Sequence, residues 1–309
     1  MPGLGVVNNP YSRKNRKNPF GIETLGFIVG TSGESVATQS TDDIDRLLRS
    51  FKDQQIEVLA INGGDGSNTL VLSKLVKIYG DQPLPKIALL RGGTMNIAAN
   101  SCGIRGTPAG IMMNLTRKIR DGIPFQTTWR DLLCVEEHYG FIFGCGFVHT
   151  FLEEFYGRRK KSPVQAARMV GRLVGSAMIR GPTYKRLTAP VDCSITVDGQ
   201  KWPHERYYAV AASTVEQIGL GFRAFRLCEL KPHAFHMLGL VRPVSSLIPS
   251  IPKLYFGRKV AEKKLHEQVG SLAVLEAEKP IAYTIDGEIY TGAERLEITC
   301  GPRVEIVID

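Results

Sequence analysis

The sequence predicts an α/β domain followed by a β-rich, sandwich-like domain. Three observations carry that reading. Val58, Leu59, Ala60 and Ile61 form a short apolar run that Gly63-Gly64-Asp65-Gly66 interrupts, and Leu70, Val71, Leu75 and Ile78 then recur at helical spacing. Lys86 to Leu90 repeats the arrangement, running into a second glycine loop, Arg91-Gly92-Gly93-Thr94-Met95-Asn96. From about Thr128 the texture changes to short strand-like runs punctuated by turns.

Taken in order, Leu4 to Val7 reads as a strand ending in Asn8-Asn9-Pro10, and Thr24 to Val29 as a further strand or a loop. Thr41 is a candidate cap for a helix whose Ile44, Leu47, Leu48 and Phe51 form one apolar stripe, with Asp42 and Asp43 at its positive end. The first strand–loop–helix follows and closes at Gly80; Asp81 to Pro85 is a proline-bearing turn. After the second glycine loop, Ile97 to Ser101 reads as a helical turn. This β–loop–α repetition argues for a mostly parallel sheet over residues 1–127. Residues 128–309 form the β-rich domain, with inserted helices and a final strand that can return to the first domain. Its expected strands are Asp131 to Glu136, Gly140 to Phe143, Asp192 to Val197, Tyr207 to Ala212, Ile281 to Ile285 and Arg303 to Ile308, with turns at Asp198-Gly199 and Asp286-Gly287. A helical stretch from about His149 to Ile179 is inserted, and 232–256 is apolar with four prolines, a shelter for acyl chains or ordinary core.

Of the 309 residues, 43% are hydrophobic and 22% charged, ordinary for a globular protein and enough for two cores. No run approaches the ~18 apolar residues of a membrane helix, and MPGLGVVNNP carries no secretory-signal pattern. The six cysteines are scattered without a CxxC pair, so reduced core thiols in a cytoplasmic protein are expected. The histidines show no zinc-like spacing. The net charge of +9 concentrates in Arg13-Lys14-Asn15-Arg16-Lys17 and in the 158–186 segment, with Arg158, Arg159, Lys160 and Lys161 at its start. Such patches favour phosphates or an anionic membrane surface. No nucleic-acid motif accompanies them, so no nucleic-acid partner is expected. A solvated helix face is the plain reading of the 158–186 run.

Two glycine loops at neighbouring strand ends define one crevice, the usual ligand position in an open sheet. Gly63 to Gly66 supplies backbone freedom for a phosphate to approach, and Thr94 and Asn96 can donate hydrogen bonds there. Asp65 is out of place beside a phosphate unless Mg²⁺ or a proton transfer is involved. The plain alternative is a tight turn in which Asp65 caps the following helix.

In order along the chain, NNPYS (8–12), INGGDGSNTL (61–70), LLRGGTMNIA (89–98) and TIDGEIY (284–290) resemble the markers of the diacylglycerol kinase catalytic family, which includes sphingosine and ceramide kinases. The resemblance implies a nucleotide-binding α/β domain with a β-sandwich-like domain, and ATP- and Mg²⁺-dependent phosphorylation of a lipid hydroxyl. It implies that Asn9 and Pro10 of the NP motif, Thr38, Gly63, Gly64, Asp65, Gly66, Ser67, Asn68, Gly93, Thr94 and Asn96 line the nucleotide site. It further implies that Asp65 is the metal-facing carboxylate and that Asp286 and Glu288 face the reaction, one of them as general base. Alone, Asp286-Gly287-Glu288 reads as a hairpin turn.

The chain departs from the family pattern in places. Ser12-Arg13-Lys14-Asn15 replaces a glycine-bearing turn, with Arg13 and Lys14 as substitute phosphate charge. Ser67 stands for threonine, Leu70 for glutamate and Ile97 for aspartate, and the aspartate of a family structural metal site is missing around Arg223 to His236, where Glu229 is a candidate substitute. The leading expectation is thus a lipid kinase, peripherally associated with an anionic membrane through the 158–186 helices; a homodimer is left open. The alternatives are a degenerate binder of nucleotide or lipid without turnover, and a kinase for a soluble small molecule. A dinucleotide-dependent dehydrogenase is disfavoured, because neither loop is a GxGxxG.

Overall fold

The computed structural model describes residues 3–156, 164, 168, 171 and 187–309. Its elements begin with β1 (Leu4–Asn8), α1 (Arg13–Lys17), α2 (Phe20–Val29), β2 (Gly33–Ala37), α3 (Thr41–Asp53) and β3 (Val58–Asn62). Next come α4 (Asp65–Tyr79), β4 (Lys86–Leu89), α5 (Ile97–Ser101), α6 (Pro108–Asp121), β5 (Thr127–Val135), β6 (His138–Gly140), β7 (Ile142–Gly146) and α7 (Phe147–Tyr156). Beyond lie β8 (Val191–Asp192), β9 (Ser194–Val197), β10 (Gln200–Lys201), β11 (Arg206–Tyr207), β12 (Ala209–Ser213), β13 (Phe235–Leu240) and α8 (Ile251–Tyr255). The last are β14 (Leu265–Gly270), β15 (Leu272–Glu276), β16 (Tyr283–Ile285), β17 (Glu288–Tyr290) and β18 (Arg295–Val307). The chain divides into two compact units, Met1–Arg130 with Pro302–Asp309, and Asp131–Gly301. The division thus falls three residues beyond the expected 127/128, and 302–309 belong to the first unit.

In the first unit a parallel sheet runs β2-β1-β3-β4-β18. β1 and β3 are buried along their whole length, as expected of strands covered on both faces. α3 turns Ile44, Leu47, Leu48 and Phe51 inward, each worth roughly 2 kcal/mol of burial. Its cap is Ser40 rather than Thr41: Asp43 N donates to Ser40 Oγ at 3.1 Å, and Ser40 N donates to Asp43 Oδ2 at 3.0 Å. Thr41 is already the first helical residue. This reciprocal box satisfies two amide donors that no helical carbonyl can reach.

Residues 24–29 lie in a helix, not a strand. Leu25 and Val29 are one turn apart and both buried, and that single buried stripe outweighs the β-branched Thr24, Ile28 and Val29. The strand of this region is β2, a half-exposed edge whose Gly33-Glu34-Ser35 start carries no apolar signal. α6 opens on Thr107, whose Oγ1 accepts from Gly110 N at 3.2 Å, with Pro108 following.

In the second unit an antiparallel sheet, β14-β13-β12-β7-β16-β17, shares one core with β9, β15 and the first half of β18. The pairs Ile195/Val197, Val210/Ala212, Phe235/Met237, Ala273/Leu275 and Leu296/Ile298 alternate inward, the period of a sandwich. Leu238 and Leu240 bury on the other face of β13, with Phe225 and Val260. The start of the 232–256 stretch is therefore core, whereas Tyr255 and Phe256 are exposed. α7 covers the beginning of the expected long helix; of its remainder and the basic 158–186 run only Val164, Arg168 and Gly171 are among the described residues, each helical and exposed. Among the described residues no helix is long and apolar enough to cross a membrane.

Candidate active site

The first unit gathers its polar residues where β1, β3 and β4 end. Asn8 and Asn62 are opposite each other on paired strands, both buried, and Asn62 Nδ2 donates to Asn8 Oδ1 at 2.8 Å. Asn8 Nδ2 donates in turn to Ser35 Oγ (2.9 Å), and the buried Asn15 Nδ2 donates to Asn9 O (2.8 Å) and Asn62 O (3.1 Å). Burying so many amides is tolerable because each of their NH2 groups finds an acceptor. The result fixes the chain entering the NP turn. At that turn Asn9 Nδ2 donates to Ser67 Oγ at 2.8 Å while its Oδ1 accepts from Tyr11 N. Pro10 is half-buried in the same turn.

The two glycine loops touch backbone to backbone. A Cβ on Gly93 would come within 2.3 Å of Gly64 Cα, and one on Gly92 within 2.6 Å of Asn62 Oδ1. A Cβ on Gly63 would strike Ser67. None of Gly63, Gly64, Gly66, Gly92 or Gly93 has a positive φ. The smallness of Gly64, Gly92 and Gly93 is thus required for the approach of one loop to the other, and these five glycines make no use of the left-handed region. The first loop of basic residues closes over the second glycine loop. Ser12 Oγ and Lys14 N both donate to Gly92 O at 3.2 Å, and Lys14 Nζ donates to Arg91 O at 2.9 Å. Burial, and then the neighbouring Arg91, lower the Lys14 pKa.

Asp65 is the first residue of α4, yet its carboxylate does not cap its own helix. Oδ1 accepts from Ile97 N at 2.7 Å, so it seats the N-terminus of α5. Burial raises its pKa to about 6, against the opposing hydrogen bonds from the Ile97, Ala98 and Asn96 amides. Asn96 is left-handed (φ 50°) and folds onto its own loop, accepting from Gly93 N at 3.0 Å and donating to Gly93 O at 3.3 Å. Thr94 is half-buried in that loop. α4 itself begins without a side-chain cap, which leaves first-turn amides for a ligand.

Beside the loops a pocket opens. Val7, Ile44, Ile61, Leu70 and Val71 form apolar walls, and Asn9, Thr38, Gln39, Ser40 and Ser67 form a polar rim. The structure therefore brings Asn9, Thr38 and Ser67 together, and Leu70 joins them. Gly93, Thr94 and Asn96 are not part of this lining. Gln39, Ser40 and Tyr11 also line it without a signal in the sequence, since a short polar stretch before a helix is not distinctive. The buried carboxamide oxygens of Asn62 and Asn68 have no hydrogen-bond partner among the described residues. Unpartnered acceptors within three residues of Asp65 along the chain suit the donors of a bound ligand or the water shell of a cation. Among the described residues no three His, Cys, Asp or Glu side chains gather as a metal-binding group.

Asp286 and Glu288 lie in the second unit. Asp286 and Gly287 form the β16–β17 turn, both with positive φ. The Asp286 carboxylate is buried and accepts from Phe141 N (3.0 Å) and Ile142 N (2.9 Å). Glu288 is exposed. His236, fully buried, contacts Glu267 at 3.2 Å, and Arg226 donates to the other Glu267 oxygen at 2.5 Å. Glu229 is exposed.

Residues 4–125 match the family model of the diacylglycerol kinase catalytic domain. No curated protein matches the chain. Among solved structures, a diacylglycerol kinase from Bacillus anthracis strain Sterne is similar at a TM-score of 0.67 and 13% identity, covering 100% of this chain and 97% of that one. A second structure from that organism, of a protein provisionally assigned as a diacylglycerol kinase, gives 0.72 and 14%, with 100% and 96% covered. At such identities the likeness is one of fold.

Proposed function

We propose, from the match of residues 4–125 to the diacylglycerol kinase catalytic domain, that the protein transfers the γ-phosphoryl group of ATP to a lipid hydroxyl. The observation that carries the reading is the meeting of Asn9, Thr38 and Ser67 on one apolar-walled pocket beside two loops with room only for glycine. The apolar walls accept a nucleobase, and the polar rim orients it. The uncapped first turn of α4 directs amides and the positive end of the helix dipole at the phosphates.

Asp65, with the carboxamide oxygens of Asn62 and Asn68, would hold Mg²⁺, which supplies charge neutralisation to the transferring phosphoryl group when bound. A charged carboxylate held in a buried position is stabilised by a cation, and Asp65 is the only acidic residue in the two loops. Of the two carboxylates in the DGE turn, Glu288 is the better general base. It is exposed, whereas both Asp286 oxygens already accept backbone amides.

The experiment is transfer of labelled γ-phosphate into lipids in mixed micelles, comparing wild type with Asp65→Asn. Diacylglycerol, monoacylglycerol, ceramide and sphingosine serve as acceptors. Labelled lipid that disappears in the variant supports the reading; a folded wild type that labels none of them counts against it. One observation favours a second reading, a nucleotide binder without turnover: Leu70 lines the pocket where a carboxylate could have ordered water and metal. ATP binding by calorimetry with no ATP consumption in Mg²⁺ or Mn²⁺ would move that reading ahead.

A further inference from the structure

The two most exposed large apolar side chains among the described residues, Phe27 at 87% and Phe20 at 72%, both belong to α2. They are seven residues apart, two turns of helix, so they share one face about 10 Å along its axis. Between them the exposed Thr24 turns its hydroxyl back to Phe20 O at 2.8 Å. The opposite side of the helix is satisfied by the burial of Leu25 and Val29. Fold stability therefore gives no reason for two phenylalanines in water, and solvation opposes it.

Charge identifies what the face fits. α1 ends three residues before Phe20 and carries Arg13, Lys14, Arg16 and Lys17, with Glu23 the only acid from residue 11 to residue 29. Arg16 and Lys17 are exposed and form no ion pair among the described residues. Aromatic side chains flanked by unneutralised cations match the two layers of an anionic bilayer: rings enter the acyl boundary, and the cations stay with the phosphates. A second copy of this chain would meet like charges at that border.

We infer that the α1–α2 segment, Arg16, Lys17, Phe20 and Phe27 foremost, is a docking surface for an anionic lipid membrane. The surface deepens the lipid-kinase reading and rests on it for its purpose, though not for its evidence. It is also separate from the 158–186 run, to which the sequence alone assigns membrane docking.

The test is co-sedimentation with vesicles of phosphatidylcholine alone or mixed with phosphatidylglycerol, without nucleotide, so that turnover plays no part. Wild type should bind the mixed vesicles, more weakly as salt rises, and should stay in the supernatant with vesicles of phosphatidylcholine alone. At roughly 1 kcal/mol per surface cation, the Arg16→Gln/Lys17→Gln pair should lower partitioning about 30-fold. Phe27→Ser should lower it about tenfold or more. All variants should keep the wild-type circular dichroism and the wild-type mass by light scattering. Variants that bind as wild type does, or equal binding to both vesicles, would overturn the proposal. So would a Phe27→Ser protein that loses a dimer while keeping its vesicle binding. Phosphoryl transfer in detergent micelles, measured separately, decides the kinase reading whatever the vesicles show.

Discussion

Replacing Asp65 with asparagine should make the protein more stable above pH 7 and less active. The structure sets the size of the effect. The folded carboxyl titrates at about 6, against 3.8 for an unperturbed aspartate. Because the folded pKa is the higher one, the native state keeps a proton that the unfolded chain has already released. Stability is therefore fully present below pH 4 and is lost as pH rises through 6. Moving one carboxyl from 3.8 to about 6 is worth about 3 kcal/mol. The asparagine does not titrate, and its carbonyl oxygen can still accept from Ile97 N. The stability difference between variant and wild type should thus open by about 3 kcal/mol between pH 4 and pH 8, on the order of 10 °C in Tm. Calorimetry or guanidinium unfolding of both proteins at each pH measures it. Using the difference cancels every other titrating group. A difference that stays flat with pH, or that shifts against the variant, would refute the account of Asp65 as a carboxylate kept charged at a cost.

Four further outcomes follow from the geometry. Gly93→Ala should destabilise by about 1–3 kcal/mol in chemical denaturation, since its Cβ would meet backbone at 2.3 Å; Gly64→Ala, at 3.2 Å from Gly93 Cα, should cost less. Ser67→Ala removes the acceptor of Asn9 Nδ2, and should cost about 1 kcal/mol of stability together with nucleotide affinity by calorimetry. Asp286→Ala should cost about 3 kcal/mol of stability, because the Phe141 and Ile142 amides are left unpaired. Glu288→Gln should leave the unfolding midpoint unchanged and lower phosphoryl transfer at least tenfold, separating a structural carboxylate from a reacting one.

The two glycine loops are legible in the chain because each follows an apolar run and opens a helix, a local pattern. The reason those residues are glycine is not legible, because it lies in the approach of Gly64 to Gly93, which no local window contains. Asp65 behaves likewise: it seats Ile97, 32 residues further on. α2 misleads because the branched side chains of Thr24, Ile28 and Val29 favour strand, and only packing reveals that Leu25 and Val29 share a buried face. The second unit's change of texture is readable, but β14 and β15 are not. In β14 the alternation is masked by Glu267 and Gln268, which bond to Arg226 and Trp202 instead of facing water alone, and in β15 it is masked by the exposed Leu272 beside the buried Ala273 and Leu275. Sequence draws membrane docking to the 158–186 run because clustered charge is a local signal, whereas the outward face of α2 is defined only by the burial of Leu25 and Val29 on its other side.

The far end of β18 has a consequence for biosynthesis. Ile306 lies against Ile87, Ile308 N donates to Gln126 O at 3.0 Å, and Asp309 pairs with Lys118. The first unit's sheet is therefore incomplete while the ribosome makes residues 131–301. Throughout that interval β4 presents an open row of amides and carbonyls, the kind of edge along which nascent chains associate. A fragment ending near residue 125 would keep that edge permanently, although it would contain every glycine of the two loops. The first unit thus completes its folding only after the second has been synthesised, and its ordering waits on a loop closure spanning that whole unit.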